Sequence, residues 1–295
     1  IRRPPRSTLD RSSAASDVYK RQILNGTTNF ILSKMSENQS SFKDALKEAQ
    51  DLGLAEADPT MDIDGTDAAQ KASILSALAF NTLYDFNSVS YEGIENVSPE
   101  DIVYAEQLEY SVKHIAYGSI VDGEVNVSAF PTFVPKGQLL SQVGQQMNAL
   151  EIFCEEIGST VYYGPGAGPK PTASAVIADL VDLSNGGWPT SDKKQNKNNF
   201  AKEDNQNFGR YFNLNVINQA GAIAKLSSVF ADNQISIEAL IQKETKTNNK
   251  ENTYVPVVII SGPLTEIEAI QLKNKLELME ETSDSVKQFR IYNAI

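Results

Sequence analysis

Five carboxylates crowd into twelve residues of this chain: Glu56, Asp58, Asp62, Asp64 and Asp67, in the stretch EADPTMDIDGTD. Their mutual repulsion favours a cationic partner. A calcium loop is the first candidate, but placing Gly65 at that loop's sixth position puts Thr60 at its first and Lys71 at its twelfth, where acids are required. The calcium reading fails. Gly65 instead reads as the turn into a helix, on which Asp67 and Lys71 stand four residues apart and share a side, with Asp64 a turn behind. Such a pair is either a solvated salt bridge worth about 0.3 kcal/mol or, with several acids around one lysine, a site that holds a substrate ammonium and supplies a proton. A second feature is GPGAG at 164–168, ahead of an apolar helix. Backbone N–H groups at a helix start favour anions, yet the spacing is not that of the dinucleotide fingerprint, whose last glycine follows three residues after the second. A plain tight turn therefore stands beside the cradle reading.

The rest of the composition narrows the chemistry. The 295 residues hold one histidine, His114, and one cysteine, Cys154. Multi-histidine metal sites and an intramolecular disulfide are excluded, no metal is expected, and a reducing compartment fits. His114 alternates with apolar neighbours and reads as a core histidine; Cys154 reads as a buried thiol. With 26 Lys and Arg against 38 Asp and Glu, the net charge is −12, which argues against nucleic acid or an anionic membrane as partner. No stretch has the length and apolarity of a membrane span. Residues 1–22 depart from this balance with six basic and two acidic side chains, leaving −16 on the other 273. That segment has neither helical nor strand periodicity and reads as non-native or disordered, with regular structure from Ile23.

The elements that must position the acids and the lysine are legible in outline. Spacing predicts a short helix from about Asn29 to Met35 after the Asn25-Gly26-Thr27-Thr28 turn, a second over 41–52 closed by Gly53, and a third over 66–80 with Ala68, Ala72, Leu75 and Ala79 as its stripe. Alternation predicts strands over 111–121 and 125–130 around an Asp122-Gly123 hairpin, two more at 149–153 and 159–163, and then an apolar helix over 173–183. Residues 184–209 lack Val, Ile and Leu and read as a linker. Beyond it the order strand, helix, strand, strand, helix, strand is that of the ferredoxin-like split unit. The fold class is α+β, a mixed sheet with helices followed by a βαββαβ module.

The motifs NGTTNFIL (25–32), EAQDLGLAEADPTMDIDGTDAAQK (48–71) and GAGPKPTASAVIADLVDL (166–183), in this order and spacing, resemble homoserine dehydrogenase. The resemblance covers residues 23 to about 184. It implies NADPH- or NADH-dependent reduction of L-aspartate 4-semialdehyde to L-homoserine, on the route to threonine, methionine and isoleucine, by a cytoplasmic homo-oligomeric enzyme. Carried over position by position, Lys71 resembles the proton donor to the aldehyde oxygen. Glu56 and Asp67 resemble the groups that hold the ammonium and hydroxyl ends, with Asp62 beside them, and Gly26 and Thr27 the turn that touches substrate. Carboxylates around a lysine favour its proton-bearing form, in keeping with that role. Gly166 and Gly168 resemble the turn that approaches the cofactor, and the helix after it the one that packs on the dinucleotide domain.

Residues 211–295 resemble an ACT domain, through NQAGAIAKLSSVFADNQISIEALIQKE (218–244) and FRI (289–291), with Ala220 where that family prefers proline. This implies an amino-acid effector, threonine by the same resemblance, or a purely structural pairing unit. The division expected is thus 23–183 substrate domain, 184–210 linker and 211–295 ACT domain. The family's N-terminal dinucleotide domain has no counterpart before Ile23, so the 295 residues by themselves are expected neither to bind a dinucleotide tightly nor to turn over substrate. The alternative is a non-catalytic amino-acid-binding or dimerisation protein on the same framework.

Overall fold

The computed structural model describes residues 19–80, 82, 86–121, 124–154, 157–186, 201, 206–242 and 254–292. Expectations for most of the basic segment, for the hairpin tip at 122–123 and for most of the linker fall outside these residues. One mixed sheet of ten strands runs through both halves. In the first half β1 (Tyr19–Ile23) lies antiparallel between β3 (Tyr110–Val121) and β5 (Met147–Cys154). β3 pairs along its length with β4 (Glu124–Pro135), and β5 with β6 (Gly158–Pro165). A short β2 (Ser90–Tyr91) runs parallel to β4. In the second half β7 (Phe208–Ile217) lies between β9 (Tyr254–Leu264) and β10 (Thr282–Ile291), with β8 (Ile237–Gln242) on the outer edge of β9. Two parallel pairings, Arg290 with Thr132 and Ile291 with Phe133, join β10 to β4 and make the sheet continuous.

β1 corrects the start of regular structure. Tyr19 to Gln22 are paired on both sides, and Gln22 is fully buried. Charged Lys20 and Arg21 hide this strand from a pattern search; Lys20 lies over the Phe80 ring and Arg21 over Tyr292, so their stems cover apolar surface.

Helices α1 (Gly26–Asn38), α2 (Phe42–Asp51), α3 (Thr60–Ile63), α4 (Thr66–Phe80) and α5 (Pro99–Gln107) surround the first half. α1 begins three residues before the expected start, because the Asn25 side chain caps it. α2 follows its Ser41 cap and stops before Gly53, whose φ is +69°. α4 spans the expected 66–80, but its buried side is Ala68, Ala69, Ala72, Ser73 and Ser76, while Leu75 is only half-buried and Ala79 exposed. Small side chains face inward because the helix lies tight on the sheet: a Cβ on Gly118 of β3 would stand 2.4 Å from Ser76 Oγ. β3 is buried on both faces from Val112 to Ser119 rather than alternating, with α4 on one side and a cluster including Ile23, Tyr117 and Val134 on the other.

The second half follows the expected order, with α7 (Ala222–Asp232) and α8 (Glu266–Glu277) between its strands. Gly221, at φ +91°, makes the turn into α7. Period-two alternation gives this sheet two buried faces: Phe212, Leu214, Val257 and Ile259 pack on α7 and α8, while Tyr211, Val258, Ile260 and Phe289 join Phe30, Met35, Ile102 and Phe133 of the first half. Asp101 of α5, fully buried, accepts from Tyr211 Oη, Asn213 Nδ2 and Lys287 Nζ at 2.9, 2.6 and 3.2 Å and ties the halves together. Phe208 to Arg210, expected in the linker, belong to β7, and Ala201 is buried with its N–H bonded to Val125 O. Among the described residues no helix is long and apolar enough to cross a membrane.

Candidate active site

Two helix starts meet beside the acidic loop. At the first, Asn25 ends β1's continuation and caps α1: its Oδ1 accepts from Thr28 N at 2.8 Å, and Thr28 Oγ1 donates back to Asn25 O at 3.0 Å. At the second, Asp64 Oδ1 accepts from Thr66 N at 2.8 Å and turns the chain into α4 through Gly65, at φ +86°. Only glycine fits there on two grounds, for a Cβ would also come within 2.8 Å of Glu92 O. The 92–94 turn lies beneath and is held by Ile94 N on Ile63 O and by His114 Nε2 on Glu92 O at 2.8 Å. His114 is a core residue, as expected, and burial pushes its pKa down to about 4, so the ring is neutral.

The carboxylates and the lysine converge at these starts. Lys71 Nζ donates to Asp67 Oδ2 at 2.6 Å, and Asn25 Nδ2 donates to the same oxygen at 2.9 Å and to Asp62 Oδ1 at 2.6 Å. Half of the Lys71 side chain is exposed and a quarter of Asp67's, so the pair opens to solvent. Thr27 is buried and donates from Oγ1 to Leu54 O, which binds the α1 start to the turn that precedes the acidic loop. Glu56 stands outside the cluster: it is exposed, and its backbone carbonyl accepts from Gln50 Nε2 of α2. Asp58 turns away to Thr60. Among the described residues no group of His, Cys, Asp and Glu is arranged to hold a metal.

The Gly-rich turn reaches the same region through a residue the sequence did not single out. Asn148 of β5 donates to Leu24 O at 3.1 Å, directly before Asn25, and a Cβ on Gly166 would stand 1.9 Å from its amide nitrogen. A Cβ on Gly26 would meet the neighbouring Gln146 O at 2.8 Å. Gly26 and Gly166 thus owe their lack of side chains to residues 146–148, where the chain enters β5. Gly168, at φ +109°, starts α6 (Pro169–Ser184) and opens onto a shallow depression of about 740 Å³ lined by Pro165, Ala167, Lys170 and Ser174. The α6 stripe Val176, Ile177, Leu180 and Leu183 is at least half exposed. Cys154 is half-buried rather than buried. Asn25 was legible only as part of a turn; an Asn before Gly-Thr-Thr is a cap signal, but nothing in its own neighbourhood announces Asp62 and Asp67, 37 and 42 residues away.

Comparison with known proteins places this geometry in context. A family model described as homoserine dehydrogenase matches residues 4–181. Curated homoserine dehydrogenases from Bacillus subtilis and Neisseria gonorrhoeae are 34% and 40% identical, over 95% and 75% of this chain but 66% and 53% of their own lengths. The chain therefore spans less than two thirds of these relatives. A solved homoserine dehydrogenase from Thiobacillus denitrificans superposes with a TM-score of 0.85 at 33% identity, covering 97% of this chain and 67% of that one. One from S. aureus gives 0.72 at 31% identity, with the same coverage.

Proposed function

Because this chain belongs to the homoserine dehydrogenase family, we propose that the protein it represents reduces L-aspartate 4-semialdehyde to L-homoserine with NADPH or NADH, in threonine, methionine and isoleucine synthesis in the cytoplasm. The observation that carries this reading is the convergence of Lys71, Asp67, Asp62 and Asn25 at the start of α4, beside the Gly26-Thr27 turn. Lys71 is the proton donor: its exposed ammonium can leave Asp67 for the aldehyde oxygen as that oxygen gains charge. Asp67 and Asp62 offer their remaining lone pairs to the substrate's ammonium and hydroxyl ends, and Glu56, on the exposed loop, adds a further carboxylate from the solvent side.

The nicotinamide cofactor, when bound, supplies the hydride. Gly166 and Gly168 suit its approach, since a Cβ at the first is excluded by Asn148 and the second lines the open depression. The exposed α6 stripe suits the dinucleotide domain that the family resemblance sets against it. We assign residues 19–184 to the substrate domain and residues from Phe208 onward to an ACT domain that takes an amino-acid effector, supported by the β7-α7-β8-β9-α8-β10 order and the Gly221 turn. In the full-length protein, Lys71→Ala should lower kcat about 10²- to 10⁴-fold with an unchanged circular dichroism spectrum. Retained activity would reduce Lys71 to a salt-bridge partner.

A further inference from the structure

The hydrogen bonds around the first helix start give Asn25 a second task. It is 4% exposed, and its Oδ1 is committed to Thr28 N as the α1 cap. The amide orientation follows from its partners, because the reverse placement would set an acceptor against two carboxylate oxygens and a donor against an N–H. Both hydrogens of Nδ2 are then aimed at Asp62 Oδ1 and Asp67 Oδ2, the second of which also receives Lys71 Nζ. Two carboxylates bonded to one nitrogen repel each other unless that donor is present.

We propose that Asn25 is a positioning residue of the site: it clamps Asp62 and Asp67 side by side, and through Asp67 it sets the direction from which the Lys71 ammonium faces substrate. The proposal rests on the reading of Lys71 as proton donor. Capping alone does not explain an asparagine here, because Ser and Asp cap helices equally well. Only a side chain with one acceptor and two donors can cap α1 and bridge the acids at once. Aspartate would keep the cap while turning the clamp into a third negative charge; serine would keep the cap and remove the clamp.

Asn25→Ser and Asn25→Asp, made in the full-length protein, separate the two tasks. Asn25→Ser should keep the melting temperature within about 2 °C of wild type, while Asn25→Asp, which sets a buried third carboxylate against two others, should lower it. kcat should fall about tenfold to a hundredfold in Asn25→Ser, and further in Asn25→Asp, with a smaller change in KM. Competitive acylation of the 295-residue chain should show Lys71 reacting several-fold faster in Asn25→Ser than in wild type, relative to the other lysines, because Asp67 no longer pins it. Wild-type kcat in both variants, or unchanged Lys71 labelling, overturns the clamp, as does a kcat loss in Asn25→Ser that merely tracks a lost melting temperature. A wild-type protein that fails to reduce aspartate semialdehyde overturns the function instead, and the labelling still decides whether Asn25 holds Asp67 against Lys71.

Discussion

His114 offers a direct test of the packing beneath the site, because it is the chain's one histidine. Its Nε2 is bonded to Glu92 O at 2.8 Å, while Nδ1 is buried with no hydrogen-bond partner among the described residues. The neutral ring tolerates this, donating from Nε2 and leaving a bare lone pair inside. The charged ring would place an N–H on Nδ1 with nothing to receive it, and burial accordingly lowers the pKa from 6.5 to about 4. Between these values the unfolded chain takes up a proton that the folded chain refuses. This contribution to stability is therefore whole above pH 6.5 and is lost as the pH falls toward 4. The shift corresponds to about 3 kcal/mol in full, of which about 2 kcal/mol disappears between pH 7 and pH 5. In proton NMR the single imidazole resonance of the folded chain should titrate near pH 4. In urea unfolding, wild type should lose about 2 kcal/mol more than His114→Gln over pH 7 to 5. A folded-state titration near 6.5, or equal losses in the two proteins, would refute the account.

Other outcomes follow from named contacts. Asp101→Ala strips a buried carboxylate from Tyr211, Asn213 and Lys287, and should cost about 3–5 kcal/mol in urea unfolding, with both halves destabilised together. A variant in which only one half melts early would show that Asp101 does not join them. Gly166→Ala forces Asn148 aside and should cost about 1–3 kcal/mol; pairing it with Asn148→Ala should recover much of the loss, and a simple sum of the two effects would remove Asn148 as the cause.

What could be read beforehand divides along physical lines. α2, α4 and the six elements of the second half stand close to where spacing puts them: α2 buries one face, α4 starts at the Gly65 turn, and turn and cap residues such as Gly221 and Thr265 bound the second-half elements even though their sheet is buried on both faces. β3 conceals itself by being buried on both faces, and β1 by carrying Lys20 and Arg21 on stems that are themselves covered. α5 carries a local signal of its own, since Ser98-Pro99-Glu100-Asp101 is a capping box with proline in the first turn. The cluster at the candidate site was legible where its residues are neighbours in sequence, as with Asp62, Asp67 and Lys71. Asn25 and Asn148 were not, since their importance lies in what folding brings to them from 37 to 124 residues away.

β10 is last in chain order among the ten strands, yet it sits between β4 and β7. During synthesis the six strands β1 to β6 and the three strands β7 to β9 can form only as separate pieces, each with an unsatisfied edge, until β10 emerges to fill the gap. Tyr292, just beyond it, donates to Glu151 and receives from Arg21, so the closing strand also pins β1, the strand that leads to Asn25. A ribosome that stalls before this point would leave the acids and the lysine already made, but the strand that delivers Asn25 to them without its Tyr292 anchor, and two sticky sheet edges exposed to chaperones.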